Sequence, residues 1–393
     1  MERSVGHTDT LAVAIVSTYP PRACGIATFS RDLAAALRAA GVRTRVVGMN
    51  EEAAGYTYEP EVAWQIHDNA PEEYRAVADA LNHSDVDVVN LQHEFGIFGG
   101  EWGEYVLELV ERLDRPLVTT LHTVLPNPPA RARRIVRALS RRSSCVVVMS
   151  PSALSLMEER YGVARNRLRV IWHGVPEIEW VPRERAKERL GLGGRQVLST
   201  FGLVNAGKGI EDVLDALPSV ATAFPDVLYL ILGETHPNVR RREGESYRNM
   251  LLDRVRTLGL GGHVRFENRY MADSELIAYL QVTDIYLTPY HNPDQIVSGT
   301  LSWALAAGCA IVSTPYRYAQ DVLADDRGVL VPFRSPSAIA SAVRNLLASA
   351  ERRQSMGQRA YRFARQMLWP SVGSRYAALF EEVAGRRAVE MAG

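Results

Sequence analysis

The sequence predicts an α/β protein built from two doubly wound parallel sheets, each with its own core. Three observations carry that expectation. Short apolar runs of strand length alternate with amphipathic runs of helix length along nearly the whole chain. The series closes near Trp172-His173-Gly174-Val175 and starts again after a charged helix and a glycine turn. The stretch from Asp284 to Tyr316 reads as strand, polar loop, helix start, glycine stop at Gly308 and strand again. A loop that feeds small residues and free backbone N–H groups into a helix start is an anion site.

Taken in order, residues 11–17 form a first buried strand and residues 26–40 an amphipathic helix. Strands follow at 43–48 and 86–91, with a helix over 72–82 between them. A helix over 106–113, a strand at 117–121, a basic helix over 131–142 and a strand at 145–149 complete the first block. Strands separated by helical lengths require crossover connections, and these build a parallel sheet. The second block opens with a helix over 183–190 and a turn at 191–194. Its strands fall at 197–203, 228–233, 264–267, 285–289, 310–313 and 328–331. Its helices fall between them, at 210–223, 246–258, 273–280, 300–307 and 337–348. The expected organisation is a tail over residues 1–9, a first domain over 10–175, a second over 176–365 and a closing segment over 366–393. Ligands of such sheets bind beyond the carboxyl ends of the strands, so a cleft faced by both domains is the expected site.

Composition removes several classes. With 393 residues, each domain has enough chain for a real core. A formal net charge of zero gives no support to nucleic-acid binding. Cys24, Cys145 and Cys309 are far apart and lack metal-ligand spacing, so neither a disulfide framework nor a zinc site is expected. No apolar run approaches the roughly 20 residues that span a bilayer. The first apolar run is short and leads into Tyr19-Pro20-Pro21, which is unlike a signal peptide. A cytoplasmic protein is expected. Weak peripheral contact with the inner membrane face is open to the basic helix, through Arg131, Arg133, Arg134, Arg137, Arg141 and Arg142. A solvated helix face is the plainer reading of those arginines.

Gly202 to Gly209, GLVNAGKG, nearly spells a nucleotide-triphosphate loop between a strand and a helix. Gly209 stands where such a loop needs a hydroxyl for magnesium, so a phosphate-facing loop with Lys208 as a point charge is what survives. A glycine-rich turn with a solvated lysine is the plainer alternative. His93 and His122 each end a predicted strand, at equivalent positions that point into the ligand crevice of an open sheet. Either alone would read as a satisfied structural histidine; the pair favours a site. In the Asp284–Tyr316 stretch, His291, Asp294 and Gln295 could face a ligand beside the anion held at Ser298, Gly299 and Thr300. Asp85-Val86-Asp87 superficially matches a metal-binding pair of carboxylates but lies at the start of a strand, opposite the crevice.

Six pieces together resemble the family 4 glycosyltransferases of GT-B fold, and they come in that family's order: PPRACGIATFSRDLAAAL, LQHEF, TLHT, VIWHGV, FGLVNAGKG and SGTLSWALAAGCAIVSTPY. Trp369-Pro370 and a final helix look like the family segment that crosses back to the first domain. The resemblance implies two Rossmann-like domains facing across a cleft. It implies a retaining transfer of a hexosyl group from a nucleotide-diphosphate sugar to a carbohydrate or glycoside acceptor, with no metal and no other cofactor. By resemblance, Gly202 and Lys208 hold the donor diphosphate, aided by the amides at Ser298, Gly299 and Thr300. Gly25 lets the backbone approach a ligand, His122 contacts the transferred sugar, and His93 lies alongside it. Asp294 falls on the sugar side. The chain also departs from the family. Leu203 replaces an arginine that Arg269 could restore, and Gln295 and Trp303 replace two glutamates. Gln295 can still bind sugar hydroxyls; Trp303 cannot accept hydrogen bonds from a ribose diol. A phosphorylase of the same fold, a sugar-nucleotide epimerase and a non-catalytic nucleotide- or sugar-binding module are the rival expectations.

Overall fold

A computed structural model describes residues 10–51 and 55–392, with side chains to residue 385. The expected tail over residues 1–9 lies outside the described residues. Two compact units divide the chain: one runs to Gly174 and resumes at Trp369, the other is Val175–Leu368.

Among the described residues the first unit holds a seven-stranded sheet. Its strands are β1 (Ala12–Ser17), β2 (Arg43–Asn50), β3 (Val62–His67), β4 (Val88–His93), β5 (Leu117–Leu121), β6 (Cys145–Val148) and β7 (Leu168–Val170). The order is β3-β2-β1-β4-β5-β6-β7 and every pairing is parallel. β1, β4, β5 and β6 are buried from end to end, as strands covered on both faces must be; this explains the apolar runs of β1 and β6, while β4 also buries Asn90, Gln92 and His93. Ala14, Val16, Val47, Val89 and Leu91 pack with Tyr74, Leu81, Leu109 and Ile135 from the crossover helices. Each fully buried side chain of this size stabilises the fold by about 1.5–3 kcal/mol. The chain winds outward from β1 to β3, then returns to the other side of β1 at β4. That reversal opens a crevice beyond the carboxyl ends of β1 and β4.

The final helix, Trp369–Ala392, belongs to this unit and packs on the helix Gly25–Ala39. Gly373 sits so close that a Cβ there would lie 2.8 Å from the Ala36 Cβ. The Tyr376 hydroxyl meets Thr120 Oγ1 at 3.1 Å, and Trp369 stands edge-on to Phe29.

The second unit repeats the plan. Its strands are β8 (Gln196–Phe201), β9 (Val227–Leu232), β10 (Val264–Glu267), β11 (Ile285–Thr288), β12 (Ala310–Ser313) and β13 (Val329–Leu330). They pair in parallel in the order β10-β9-β8-β11-β12-β13. The reversal here falls at β8, flanked by β9 and β11, and its crevice lies beyond Phe201 and Thr288.

Most of the expected elements are present. The structure adds β3 and the three-residue β7, and helices at Pro151–Tyr161, Pro237–Glu243, Arg317–Leu323 and Ala350–Ala364. The helix expected over 106–113 is a short one, Val106–Val110. The Asp85–Asp87 pair does sit at the amino end of the sheet: Asp87 accepts the Ala12 N–H at 2.8 Å and Asp85 pairs with Arg43 and Arg45. Among the described residues no helix is long and apolar enough to cross a membrane.

Candidate functional site

The loop after β8 is built around Lys208. Gly202 leaves the strand with φ of 111°, and a Cβ there would come within 3.2 Å of the Lys208 Nζ. Asn205 then caps a short 3-10 turn, its side chain accepting the Gly207 N–H at 2.9 Å. Gly209 follows with φ of 65°, and a Cβ on it would lie 2.1 Å from the Pro289 carbonyl oxygen. No side chain fits at that point, which is why the hydroxyl of a triphosphate loop has no place here. The loop is pinned from the other side too. The His291 N–H donates to the Gly207 carbonyl at 3.0 Å, and the His291 ring meets the Asp212 carboxylate at 2.7 Å.

This clamp sets Lys208 beside Tyr290, the second residue after β11. The Lys208 ammonium donates to the Tyr290 hydroxyl at 2.9 Å. That hydroxyl meets Thr300 Oγ1 at 2.7 Å, and Thr300 Oγ1 lies 3.2 Å from Ser298 Oγ. Tyr290 is 4% exposed and stacks on Tyr316 at 5.2 Å. Burial pushes its phenol up, but the Lys208 charge and the hydrogen bonds from Lys208, Thr300 and Ser298 outweigh it and leave the phenol below its ordinary value.

Ser298 is the N-cap of the helix Gly299–Ala306, its hydroxyl accepting the Leu301 N–H at 3.3 Å. The first backbone N–H groups of a helix have no partner inside it, and the helix dipole adds partial positive charge there. Lys208, Tyr290, Gln295, Ser298, Gly299 and Thr300 line one cavity of about 380 Å³, together with Asn205 and Asn292. One cation, a helix start and several hydroxyls therefore converge at the switch point of the second sheet.

Arg269 and Asp294 stand apart from that lining. Arg269 is held by Glu275, with one guanidinium nitrogen 2.7 Å from its carboxylate. Asp294 pairs with Arg317 at 3.2 Å. Gln295 lines the cavity, yet its amide donates to the Val297 carbonyl at 2.9 Å. Trp303 is buried against Phe201.

In the first unit, Gly25 begins the helix Gly25–Ala39, and a Cβ on it would meet nothing within 4 Å. The fold itself does not require glycine there. His93 ends β4 and His122 follows β5, with the His122 N–H bonded to the His93 carbonyl at 3.0 Å. The His93 ring is fully buried, stacked on Phe98 and edge-on to Phe95, and both its nitrogens lack a partner among the described residues. Desolvation alone holds it down to about 3. His122 is also pushed down to about 3, by desolvation first and then by His173 and His93. His173 is lowered to about 4 by burial, against the Gly174 carbonyl that it bonds at 2.7 Å. Phe29 stands edge-on to His122 at 5.0 Å and to His173 at 5.1 Å. Neutral imidazoles at a strand end suit a ligand that offers hydroxyls.

Two of these residues escaped the sequence reading. Tyr290 was legible as an aromatic side chain at the carboxyl end of a strand beside the switch point. His173 sat inside the VIWHGV piece but carried no pattern of its own.

The basic helix, Ala130–Arg142, spends half of its arginines internally. Arg131 pairs with Glu101 and Glu104, Arg137 donates to the Tyr161 carbonyl, and Arg142 to Val110.

Two doubly wound sheets, one with an anion-ready switch point and one with a hydroxyl-ready one, define a GT-B architecture. Anabaena HepE, solved in complex with UDP and glucose, has this fold: TM-score 0.75, 16% identity, covering 95% of this chain and 100% of that one. The profile described as "Glycosyltransferase Family 4" matches residues 23–177, and that described as "Glycosyl transferases group 1" matches residues 182–363. The chain belongs to this family, the group 1 glycosyltransferases of family 4. The phosphatidyl-myo-inositol mannosyltransferase of Propionibacterium freudenreichii is 28% identical over 70% of this chain and 65% of its own length. The D-inositol 3-phosphate glycosyltransferase of Corynebacterium efficiens is 24% identical over 68% of this chain and 66% of its own. The chain thus spans just under two thirds of the length of these curated relatives.

Proposed function

We propose that the chain is a retaining glycosyltransferase that moves a hexosyl group, mannosyl or glucosyl, from a nucleoside-diphosphate sugar to a carbohydrate or glycoside acceptor. The observation that carries this reading is the Lys208–Tyr290–Thr300–Ser298 cluster at the helix start beyond β8 and β11. A leaving diphosphate gains negative charge as the glycosidic bond breaks. Preorganised cations and dipoles aimed at that charge are the largest catalytic term in many enzymes. Lys208 and the amides of Gly299 and Thr300 would meet it directly, which is why the reading calls for no metal. The anomeric carbon loses its bond to the diphosphate oxygen and gains one to the acceptor oxygen on the same face. The acceptor proton passes to the departing phosphate oxygen. His122 would hold a hydroxyl of the transferred sugar, and Gly25 would let the backbone approach the ligand. The names of the relatives, a phosphatidyl-myo-inositol mannosyltransferase and a D-inositol 3-phosphate glycosyltransferase, agree with a hexosyl donor and a hydroxyl-bearing acceptor.

Trp303 supplies the one observation for a second reading. An indole buried on Phe201 cannot bind a ribose diol, and a phosphorylase needs no such group. Weak lipid contact through Arg133, Arg134 and Arg141 is proposed as an accessory property, tested by vesicle flotation.

The test is a thermal-shift comparison of UDP, GDP, ADP and inorganic phosphate, followed by transfer assays with sugars of the nucleotide that binds. Stabilisation by one nucleoside diphosphate and an α-linked product from an α-linked donor are expected. Stabilisation by phosphate alone would overturn the transferase reading in favour of the phosphorylase, and an inverted product would overturn retention.

A further inference from the structure

A buried chain of amides runs from the middle of the first sheet to His122. The Asn90 side chain donates through Nδ2 to the Val118 carbonyl at 3.1 Å. A backbone carbonyl can only accept, so this contact fixes which end of the Asn90 amide is nitrogen. Its Oδ1 must then accept, and it does so from Gln92 Nε2 at 2.5 Å. Gln92 is thereby oriented in turn, with its side-chain carbonyl directed at His122 Nε2, 2.9 Å away. Asn90 and Gln92 are both fully buried, two residues apart on one face of β4. Reversing either amide would set carbonyl against carbonyl or strand a buried donor, and each such defect is costly in a site closed to water.

We propose that Gln92 is a positioning residue: oriented by Asn90, its side-chain carbonyl holds His122 as the Nε2–H tautomer and so presents the Nδ1 lone pair as an acceptor for a sugar hydroxyl. The proposal rests on the reading of His122 as the sugar-facing group. Two observations support the direction of that lone pair. Nδ1 of His122 has no hydrogen-bond partner among the described residues, and unlike both nitrogens of His93 it is not enclosed by protein. Desolvation, with His173 and His93 nearby, keeps the ring neutral near physiological pH, and only a neutral ring has a lone pair to offer. The ring is also held in place, since Phe29 packs at right angles to it and Gln92 bonds its Nε2.

The relay gives Gln92 and Asn90 a role in specificity. An Nδ1 acceptor selects a ligand with a hydroxyl at that point and disfavours a deoxy sugar there, because the lone pair, covered by the bound ligand, is then left unmet. An Nδ1–H donor would instead favour a carbonyl or carboxylate.

Long-range proton–nitrogen correlation spectra of 15N-histidine-labelled protein test this directly, with His122 assigned by the signal missing from His122→Asn. Near neutral pH the wild-type chain should show His122 as the neutral Nε2–H tautomer. An Nδ1–H tautomer or a charged ring would overturn the proposal. Gln92→Met removes the acceptor at nearly constant volume. It should broaden or split the His122 signal and lower kcat on the order of tenfold, the scale on which partners that orient an imidazole act, with KM for the donor little changed. A His122 signal and kcat equal to wild type would overturn it. The spectrum does not depend on turnover. A chain that transfers no sugar would sink the functional reading without altering the tautomer, whereas the wrong tautomer sinks the relay whatever the activity.

Discussion

The two units share one topology and differ in electrostatics. Each sheet reverses direction beside its first strand, β1 in one and β8 in the other, and each places its polar groups beyond that reversal. The second unit puts a cation there, Lys208, with a helix start and a phenol whose proton is loosened by the same charge. The first unit puts three histidines there, His93, His122 and His173, all held neutral by burial. In doubly wound sheets topology sets where a ligand would bind. The residues after the strands decide whether it is met by charge or by neutral hydrogen-bonding groups.

The largest effect should come from removing the charge on the second unit. Lys208→Ala should lower kcat by about 10²–10³-fold, the loss typical of one preorganised donor, while the melting temperature stays near wild type. Steady-state kinetics and calorimetry check this; undiminished turnover would place the charge elsewhere. Tyr290→Phe keeps the ring stacked on Tyr316 but deletes the hydroxyl between Lys208 and Thr300. A hydrogen bond to a charged group contributes about 1.5–3 kcal/mol, so kcat/KM should fall on the order of tenfold or more. An unchanged value would mean that Lys208 needs no partner to hold its position. Gly209→Ala tests the clamp. Its Cβ would collide with the Pro289 carbonyl in a backbone conformation that favours glycine, and the expected loss is about 1–3 kcal/mol in denaturant unfolding.

The smallest effects belong to the first unit and appear in the pH dependence of stability. A histidine whose folded pKa lies below its unfolded value takes up protons more readily when unfolded. His122 and His173, at about 3 and about 4 in the fold, therefore contribute a loss of stability as pH falls below the unfolded histidine pKa of about 6.5 towards those values. His93 acts in the same sense. Glu94, whose carboxyl burial raises, acts in the opposite sense as pH falls towards the ordinary glutamate value. Urea midpoints should thus be lower at pH 5 than at pH 7.5. His93→Leu, which removes a ring with two unpartnered nitrogens, should reduce that difference. A difference that is unaltered by the substitution would assign the acid sensitivity to other groups.

Much of this comparison was legible in the sequence because its parts are local. Strands buried on both faces read as largely apolar runs, as in Val227–Leu232, and a helix start announces itself by Ser298-Gly299-Thr300. Lys208 and the distant cluster Gln295, Ser298, Gly299 and Thr300 do line one cavity. What escaped detection depends on tertiary neighbours. β3 is a half-exposed edge strand whose pattern is diluted by Gln65 and His67, and three-residue β7 is too short to show a period. Tyr290 matters only because Lys208 comes back to meet it, 82 residues away in sequence. Gln92 and Asn90 look like blemishes in a buried strand until the Val118 carbonyl gives them a direction. Arg269, which could restore the cation missing at Leu203, pairs with Glu275, a partner that no spacing rule could name.

The central claim is that the crevice beyond β8 and β11 holds a nucleoside diphosphate through Lys208. Isothermal titration of wild type and Lys208→Ala with UDP, GDP, ADP and inorganic phosphate tests it most directly. One nucleoside diphosphate should bind wild type well above phosphate, and the variant should bind it at least tenfold more weakly, as expected for loss of a charge-assisted contact of about 1.5–3 kcal/mol. Equal affinity of the two proteins, or no binding of any nucleoside diphosphate, would contradict it.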